Sequence, residues 1–444
     1  MMLQMNLREI STSSKGISVP GENTLSKPES AAASNRLAFA VVTSLFFMWG
    51  FVTVLNDVLV PHLKAIFELS YAKVMLIQFS FFSAYFLFSI PSAKLIDWLG
   101  YKKTMVVGVL TMGCGALLFI PAANLASYPL FLGALMVLAA GITALQVAAN
   151  PYIAVLGRPE TASSRLNLSQ AFNSLGTTIA PYLGGWLILS VTRKSAEAVR
   201  QLGSGAMQAY RVHEAASVKT PYLVIGLALI ALGGVIALFK LPPMAEAEQH
   251  GSMSMSGVWQ RRHLVLGIIA IFLYVGAEVS IGSFLINYLT QPNIGNISEI
   301  AASRYVSYYW GGAMVGRFIG SAILQKIRTG TVLGIAAIAA CLLVCASMLT
   351  LGHFAMGSIL LVGLFNSVMF PSIFTLGIAE LGSLTGDGSG LLIMAIVGGA
   401  VLPVLQGILA DQIGIHHAFI IPAVCYIYIV YYAFRGSRPA TSWL

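Results

Sequence analysis

Two amide side chains, Gln146 and Asn150, lie one helical turn apart in the strongly apolar segment ALQVAANPY. With Thr143 they follow a spacing of three and four residues, which places all three on one face of a helix. A second segment repeats this stripe with four polar residues, Asn167, Gln170, Asn173 and Thr177. An amide buried without a hydrogen-bond partner costs several kcal/mol. Each stripe therefore either bonds a neighbouring helix or lines a water-filled cavity.

If the stripes line a cavity, their amides suit one class of ligand. An amide both donates and accepts hydrogen bonds, so it can bond the paired hydroxyl groups of a polyhydroxylated molecule. Tryptophans deep in apolar segments would add a flat apolar face for a ring. We therefore predict ligand-binding side chains at Asn56, Gln146, Asn150, Gln170, Asn173, Asn287, Trp310 and Asn366, with Trp49 as a second aromatic wall.

Three ionisable residues, Asp57, Glu278 and Arg317, lie inside long apolar segments. Such a side chain costs about 2.5 to 3.5 kcal/mol at the centre of a membrane span on insertion scales, so its presence indicates function. We predict that Asp57 and Glu278 couple ligand movement to a cation. For Glu278, a hydrogen bond between helices would leave the same pattern. For Arg317, which lies near a span end close to Lys326, a structural role is favoured.

The elements that position these residues are predicted to be membrane helices. The chain has 444 residues, of which 57% are hydrophobic and 9% are charged, whereas soluble domains carry about 25% charged residues. The net charge of +9 comes from residues at the ends of apolar segments rather than from one basic face, which excludes a nucleic-acid partner. The four cysteines lie in apolar stretches without metal-ligand spacing and are expected to pack in the core.

Twelve segments are long and apolar enough to cross a bilayer, which needs roughly 20 residues per helix. They fall near 39–61, 74–96, 104–121, 130–156, 166–190, 221–240, 264–289, 303–325, 331–351, 354–379, 389–411 and 417–434. With a cytoplasmic N-terminus, sixteen of the 25 Lys and Arg residues lie on the cytoplasmic side and eight on the other, and Arg317 lies within a span. This bias predicts that both termini are cytoplasmic.

An internal repeat divides the spans into two sets of six. NPYIAVLG followed by APYLGG recurs as FPSIFTLG followed by LPVLQG, which aligns Pro151 with Pro371 and Gln146 with Asn366. The predicted organisation is a disordered cytoplasmic tail (1–37), a first half (38–240), a cytoplasmic linker (241–262), a second half (263–436) and a short C-terminal tail (437–444). The fold class is an all-α membrane protein with twelve helices in two pseudo-symmetric halves, which is the pattern of the major facilitator superfamily.

The connection AKLIDWLGYKK, residues 93–103, resembles the signature loop of that superfamily. Asp97, Gly100, Lys102 and Lys103 fit its pattern, while Ala93 stands where glycine is usual. The predicted role of this loop is conformational, with an acid set against basic residues and helix ends as the halves rock. No ATP-binding loop and no catalytic or metal-ligand set is recognisable, so we expect neither an enzyme nor a catalytic residue.

Longer motifs resemble the fucose permease family of proton or sodium symporters, and its glucose/galactose branch most closely. They include FFMWGF with LNDVLVP, ALQVAANPY, RLNLSQAFNSLG, FLYVGAEVSIGSFL, YYWGGAMVGRFIGSA and MFPSIFTLGIAELG. The resemblance covers residues 38–436 and implies cation-driven uptake of a monosaccharide across the inner membrane of a Gram-negative bacterium. It also implies that Gln170 and Asn173 contact the sugar or line the cavity. We expect a monomer in the lipid bilayer, without a cofactor other than the coupling ion.

The sequence departs from the fucose branch at one coupling position. That branch couples to protons through an aspartate in span one, matched by Asp57, and a glutamate in span four, where this chain has Gln146. An amide cannot carry a proton, so coupling rests on Asp57, assisted by Glu278, or Asp57 stays ionised and holds Na⁺. Sodium is favoured over protons. Fucose, N-acetylglucosamine or another sugar stay open as substrates, as does a non-transporting sugar sensor of the same fold.

Overall fold

The computed structural model describes the backbone of residues 27–67, 71–188, 203–242 and 255–439, and side chains for most of these. The regular structure in these ranges is helical. The first half contains α1 (Lys27–Phe67), α2 (Tyr71–Asn124), α3 (Tyr128–Val155), α4 (Ala162–Ile188), α5 (Ser204–Ala216) and α6 (Lys219–Leu238).

The second half begins after a short helix, α7 (Met255–Trp259), that follows the linker. It contains α8 (Arg262–Leu289), α9 (Glu299–Ile323), α10 (Thr329–Leu349), α11 (Gly352–Asn366), α12 (Met369–Gly377), α13 (Thr385–Met394), α14 (Gly398–Ile413), α15 (Ile415–Ala418) and α16 (Ile420–Tyr431). Because α1 begins at Lys27, the helix extends into the predicted tail. Residues 1–26 and most of the predicted linker lie outside the described residues.

The helices account for the twelve predicted spans. Among the described residues, nine helical segments are long and apolar enough to cross a membrane by hydropathy alone. One of these, Phe79–Asn124, has 46 residues and contains Gly100 at φ 78°. Glycine can adopt this backbone conformation, which interrupts the helix and divides the segment into two membrane crossings. The helices α4 and α9, with 27 and 25 residues, are long enough but carry polar stripes, and they complete the twelve.

Each half packs mainly on itself. In the first half α2 packs along α3 and α6, while α1 packs along α4. In the second half α10 packs against α11 and α16, and α8 packs against α14. Contacts between the halves are made chiefly by α4 with α9 and by α2 and α3 with α13. The all-α fold of two six-span halves predicted from the sequence is confirmed.

A row of hydrogen bonds joins the halves at one end of α4. Ser163 Oγ lies 2.5 Å from Thr375 Oγ1, and Ser164 Oγ donates to the carbonyl of Ser321 at 2.7 Å. These serines follow the connection between α3 and α4, on the side that the sequence predicts to be cytoplasmic. All four side chains are nine-tenths or more buried. The halves are therefore closed against each other at this end.

The predicted conformational loop takes part in the same closure. A Cβ atom at Gly386, beside the start of α13, would lie 3.9 Å from Asp97 Oδ1. Asp97 of the first half thus approaches a helix end of the second half. Lys102 Nζ donates to the carbonyl of Ala237 at 2.7 Å within its own half, and Lys103 is exposed.

Candidate functional site

The start of α4 is fixed to the end of α3 by one half-buried cation. Arg165 Nε donates to the carbonyl of Ile153 at 3.1 Å, and its Nη1 donates to the carbonyl of Arg158 at 2.9 Å. Burial lowers the pKa of the Arg165 guanidinium to about 10, so the group stays protonated at neutral pH. The two helices that carry the amide stripes are therefore held in a fixed register.

A cavity of about 170 Å³ lies where these two helices meet α1 and α2. It is smaller than the roughly 300 to 1,000 Å³ of pockets for drug-sized ligands, which suits a small molecule. Its lining residues are Trp49, Gly50, Thr53, Tyr85, Gln146, Gln170, Asn173, Thr177 and Phe370. All of them except Phe370 belong to the first half, so one half supplies the polar wall.

The first polar contact in the wall joins α2 and α3. Gln146 Nε2 donates to Tyr85 Oη at 2.9 Å, and both side chains are buried. A tyrosine hydroxyl that accepts a hydrogen bond keeps its own proton for donation. The pair can therefore offer a ligand hydroxyl a donor from Tyr85 beside the amide of Gln146.

The second polar surface is the stripe on α4. Asn173 Nδ2 donates to the carbonyl of Phe46 at 2.9 Å, which orients the amide and ties α4 to α1. Gly50 makes this approach possible, because a Cβ atom there would lie 2.5 Å from Asn173 Nδ2. Thr177 Oγ1 donates to the carbonyl of Ser174 at 2.8 Å, so the hydroxyl oxygen is left as an acceptor at the cavity.

Aromatic rings close the cavity from two directions. Trp49 is 4% exposed and packs on Phe46 with ring centroids 4.0 Å apart. From the second half, Phe370 stacks on Phe374 at 6.0 Å between centroids. A ligand in the cavity would meet both amide groups and apolar ring surface.

The structure brings only some of the predicted ligand-binding residues together. Gln146, Gln170 and Asn173 line the cavity. Asn150 is fully buried one turn nearer the predicted cytoplasmic side, and neither amide atom has a partner among the described residues. Asn287 is exposed and lies near the C-terminal end of α8.

Two further predicted residues lie in the second half and away from the cavity lining. Trp310 is 44% exposed and packs edge-on against Tyr309 at 5.2 Å between centroids. Asn366 is fully buried, and both its amide nitrogen and its amide oxygen have protein partners. The side chains of Asn56 and Asp57 lie outside the described residues, so the predicted Na⁺ ligand Asp57 is placed only as a backbone position in α1.

Asn366 and Glu278 belong to a polar network inside the second half. Tyr274 Oη lies 2.8 Å from Glu278 Oε1 and 3.0 Å from the carbonyl of Asn366. Asn366 Nδ2 donates to Tyr309 Oη at 2.9 Å, and Tyr426 Oη donates to Asn366 Oδ1 at 2.8 Å. The amide that aligns with Gln146 in the internal repeat thus has a protein partner at its nitrogen and another at its oxygen.

Arg317 connects α9 of the second half to α4 of the first half. Its Nη1 donates to Ser174 Oγ on α4, next to Asn173 in the sequence. Its backbone carbonyl accepts a hydrogen bond from Asn167 Nδ2 at 2.6 Å. These two hydrogen bonds join α9 to the cavity-lining helix α4, which agrees with the structural role favoured from sequence.

Sequence reasoning found Trp49 but missed Tyr85 and Phe370 in the cavity and the tyrosines of the polar network. Tyr85 and Phe370 sit among apolar residues, where the sequence reads as core packing. Tyr274 had a detectable signal, because it precedes Glu278 by four residues and so shares its helix face. Ser174 had none, since its importance depends on an arginine 143 positions away.

Known proteins resemble this chain over nearly its whole length. It is 51% identical over 422 residues to a glucose/galactose transporter of Brucella abortus, covering 95% of this chain and 99% of that one. It is 42% identical over 410 residues to a putative glucose/galactose transporter of Helicobacter pylori, covering 91% and 98%.

A solved structure shows the same architecture. The crystal structure of FucP in the outward conformation, described as a major facilitator superfamily transporter, matches with a TM-score of 0.84 and 34% identity. The match covers 90% of this chain and 98% of FucP.

The family model for the Major Facilitator Superfamily matches residues 37–396, which include the first half, the signature loop, the cavity and most of the second half. This match, the identity to full-length relatives and the two six-span halves agree with one another. The chain is a multi-pass membrane transporter that belongs to the major facilitator superfamily.

Proposed function

We propose that this protein is a secondary active transporter that imports a hexose, glucose or galactose, by cation symport with alternating access. The observation that carries the proposal is the small cavity lined by the polar side chains of Gln146, Gln170, Asn173 and Thr177 and by the ring of Trp49. Amides paired with an aromatic face suit a sugar ring, which has hydroxyl edges and apolar faces. The names of the Brucella and Helicobacter relatives support the same substrate class.

Alternating access is supported by the closure at one end of α4. Buried hydrogen bonds such as Ser163 to Thr375 and Ser389 to Val147 join the halves on the predicted cytoplasmic side. Opening that side requires these bonds to break, while the first half keeps its hold on the sugar. The likeness to FucP in its outward conformation is consistent with this closed cytoplasmic side.

For the coupling ion we propose Na⁺ in preference to H⁺, with Asp57 as its ligand. Gln146 contacts Tyr85 in the cavity wall and carries no titratable proton. Asp57 and Glu278 are then the acids available for coupling in the two halves. Oxygen atoms from Asp57, Asn56 and nearby carbonyls would supply the hard ligands that Na⁺ requires.

The setting that we propose is the bacterial inner membrane, with both termini and the 241–262 linker in the cytoplasm. The excess of Lys and Arg on the side of the α4 closure supports this orientation. We also propose that the protein works as a monomer, because each chain holds a complete cavity between its own helices.

The test is uptake of radiolabelled glucose into proteoliposomes under a Na⁺ gradient, a proton gradient or no gradient. We expect accumulation under the Na⁺ gradient and its loss in Asp57→Asn, with binding of glucose retained. Unlabelled galactose should compete, whereas fucose and N-acetylglucosamine should compete poorly. Accumulation by Asp57→Asn at the wild-type level would contradict the role of Asp57, and stronger competition by fucose would contradict the substrate assignment.

A further inference from the structure

The two amide stripes continue beyond the cavity, toward the end at which the halves are closed. Asn150 follows Gln146 by four residues, and Asn167 precedes Gln170 by three. At a helical rise of 1.5 Å per residue, the two asparagines lie about 6 and 4.5 Å nearer the predicted cytoplasmic side than the glutamines. We call Gln146 and Gln170 the upper amide pair, and Asn150 and Asn167 the lower amide pair.

Contacts on either side give the lower amide pair a common depth. On its cytoplasmic side, Arg165 Nε of α4 donates to the carbonyl of Ile153 of α3 at 3.1 Å. On its other side, both members of the upper amide pair line the cavity. Because α3 and α4 run in opposite directions, the lower amide pair lies between these two levels, one member on each helix.

The lower amide pair is fully buried and lacks hydrogen bonds. Neither Oδ1 nor Nδ2 of Asn150 has a partner among the described residues, and Asn167 Oδ1 has none there either. Buried polar atoms are nearly always paired in native structures, because an unpaired one is costly. Two acceptors and one donor are thus held at one level without a protein partner.

Helices of the second half close over the lower amide pair. Asn167 Nδ2 donates to the carbonyl of Arg317 on α9 at 2.6 Å, and a Cβ atom at Gly320 would lie 2.9 Å from the same nitrogen. On α3, Ser389 Oγ of α13 donates to the carbonyl of Val147 at 2.7 Å, within one turn of the lower amide pair. Separation of the halves at this end would withdraw α9 and α13 and give the asparagines access to water.

We propose that the lower amide pair is a second sugar-binding site, which receives the sugar from the upper amide pair when the cytoplasmic side opens. The sugar moves about one helical turn, 5.4 Å, along α3 and α4. There Asn150 and Asn167 exchange hydrogen bonds with its hydroxyl groups, for which an amide has both donors and an acceptor. The ligand class is a polyhydroxylated ring, and the first half holds it at both levels.

This inference rests on the proposed function and extends it by one step. It accounts for Asn150, which the sequence predicts to bind ligand although the residue is absent from the cavity lining. It also separates the two conformations by affinity. The upper amide pair determines binding while the cytoplasmic side is closed, and the lower amide pair contributes only once that side is open.

The test compares glucose binding in two locked forms of the full-length protein, with the four native cysteines replaced and no ion gradient. For the closed form, Ser163→Cys and Thr375→Cys form a disulfide at a contact whose oxygen atoms lie 2.5 Å apart. For the open form, Ser163→Trp places a bulky ring in the same buried contact. Binding of tritiated glucose to each purified form gives its Kd.

Substitutions in the lower amide pair should weaken binding in one form only. We expect Asn150→Leu and Asn167→Leu each to raise Kd about tenfold in the open form, as for one lost hydrogen bond, and less than about twofold in the closed form. Gln170→Leu should raise Kd about tenfold in the closed form. Gln325→Leu, at an exposed position, is the control and should change neither Kd.

A purely structural role would change both forms alike. If Asn150→Leu and Asn167→Leu leave the ratio of open-form to closed-form Kd at the wild-type value, the second site is overturned. Asn150→Leu removes atoms that have no protein partner in the described part of the chain, so it is expected to fold. Asn167→Ser keeps a polar group where Asn167→Leu loses its bond to α9, and it should raise the open-form Kd by a smaller factor.

The wild-type background keeps this result distinct from that of the proposed function. Failure of the closed form to bind glucose, with the upper amide pair intact, would contradict the proposed substrate and this site with it. Binding of glucose by the closed form, together with an open form that is indifferent to both asparagine substitutions, would contradict the second site alone.

Discussion

Gln146 and Tyr85 are hydrogen-bonded to each other in the cavity wall, where Gln146 Nε2 donates to Tyr85 Oη at 2.9 Å. The amide thus stands in a place where a carboxyl group would also find a hydrogen-bond partner, because the tyrosine hydroxyl can reverse its role and donate. An acid can therefore be introduced at position 146 without leaving a buried polar group that lacks a hydrogen-bond partner.

The first prediction is that Gln146→Glu adds proton dependence to transport. The new carboxyl group is buried beside Tyr85, and desolvation favours its protonated form. Uptake driven by a proton gradient should rise relative to uptake driven by Na⁺, and activity should fall as the pH is raised through the titration of that group. The control is Gln146→Asn, which adds no acid. An uptake profile against pH that matches wild type would count against this role of position 146.

The second prediction concerns Gly50, whose missing side chain lets Asn173 approach α1. In Gly50→Ala the new methyl group would meet both the backbone carbonyl and the side-chain amide of Asn173, so α4 must move away from α1 and the amide loses the carbonyl of Phe46. We expect KM for glucose to rise by about tenfold, which corresponds to the loss of one hydrogen bond. Gly133→Ala is the matched control, since a Cβ atom there meets nothing within 4 Å. If both alanine variants transport with the same KM, Asn173 does not need this orientation.

The third prediction contrasts Asn366 with Asn287, since the sequence analysis predicts both as ligand-binding residues. Asn366→Ala would leave the hydroxyls of Tyr309 and Tyr426 without their amide partner in a buried site, at about 1 to 3 kcal/mol for each unpaired group. Its melting temperature should fall clearly. Asn287→Ala, at an exposed position, should melt like wild type and keep KM for glucose within about twofold, since surface changes cost under about 0.5 kcal/mol. A large rise in KM for Asn287→Ala would place that residue at the sugar.

The fourth prediction tests the break between the two crossings of α2. Gly100 has φ 78° and ψ 166°, a region that is essentially restricted to glycine. Gly100→Ala should destabilise the protein by about 1 to 3 kcal/mol. Thermal unfolding in detergent measures the effect, with Gly133→Ala again as the control. Unchanged melting of Gly100→Ala would mean that the loop accommodates a side chain by changing its backbone conformation.

The sequence predicted the helices well because hydrocarbon imposes one strong rule, that a spanning segment must be long, apolar and helical. Twelve spans and the repeat followed from it. The polar stripe on α4 was also predictable, because spacings of three and four residues place Gln170 and Asn173 on one helix face.

The depth and direction of each polar residue were harder to predict. Gln146 and Asn366 align in the repeat, yet one faces the cavity and the other is enclosed by tyrosines from α9 and α16. That difference depends on which aromatic residues the neighbouring helices place nearby, and hydropathy treats Tyr309, Tyr426 and ordinary core residues alike. Likewise, no pattern within α9 indicates that Arg317 meets Ser174 of the other half.

The unequal sharing of the cavity has an evolutionary consequence. Eight of the nine lining residues belong to the first half and Phe370 alone to the second, whereas Glu278 and Arg317 belong to the second. The lining of the cavity and these two charged residues are thus encoded in separate stretches of the gene, on either side of the linker. Under the proposed function, substitutions on α3 and α4 would change which ligand the cavity accepts while Glu278 and Arg317 are inherited unchanged.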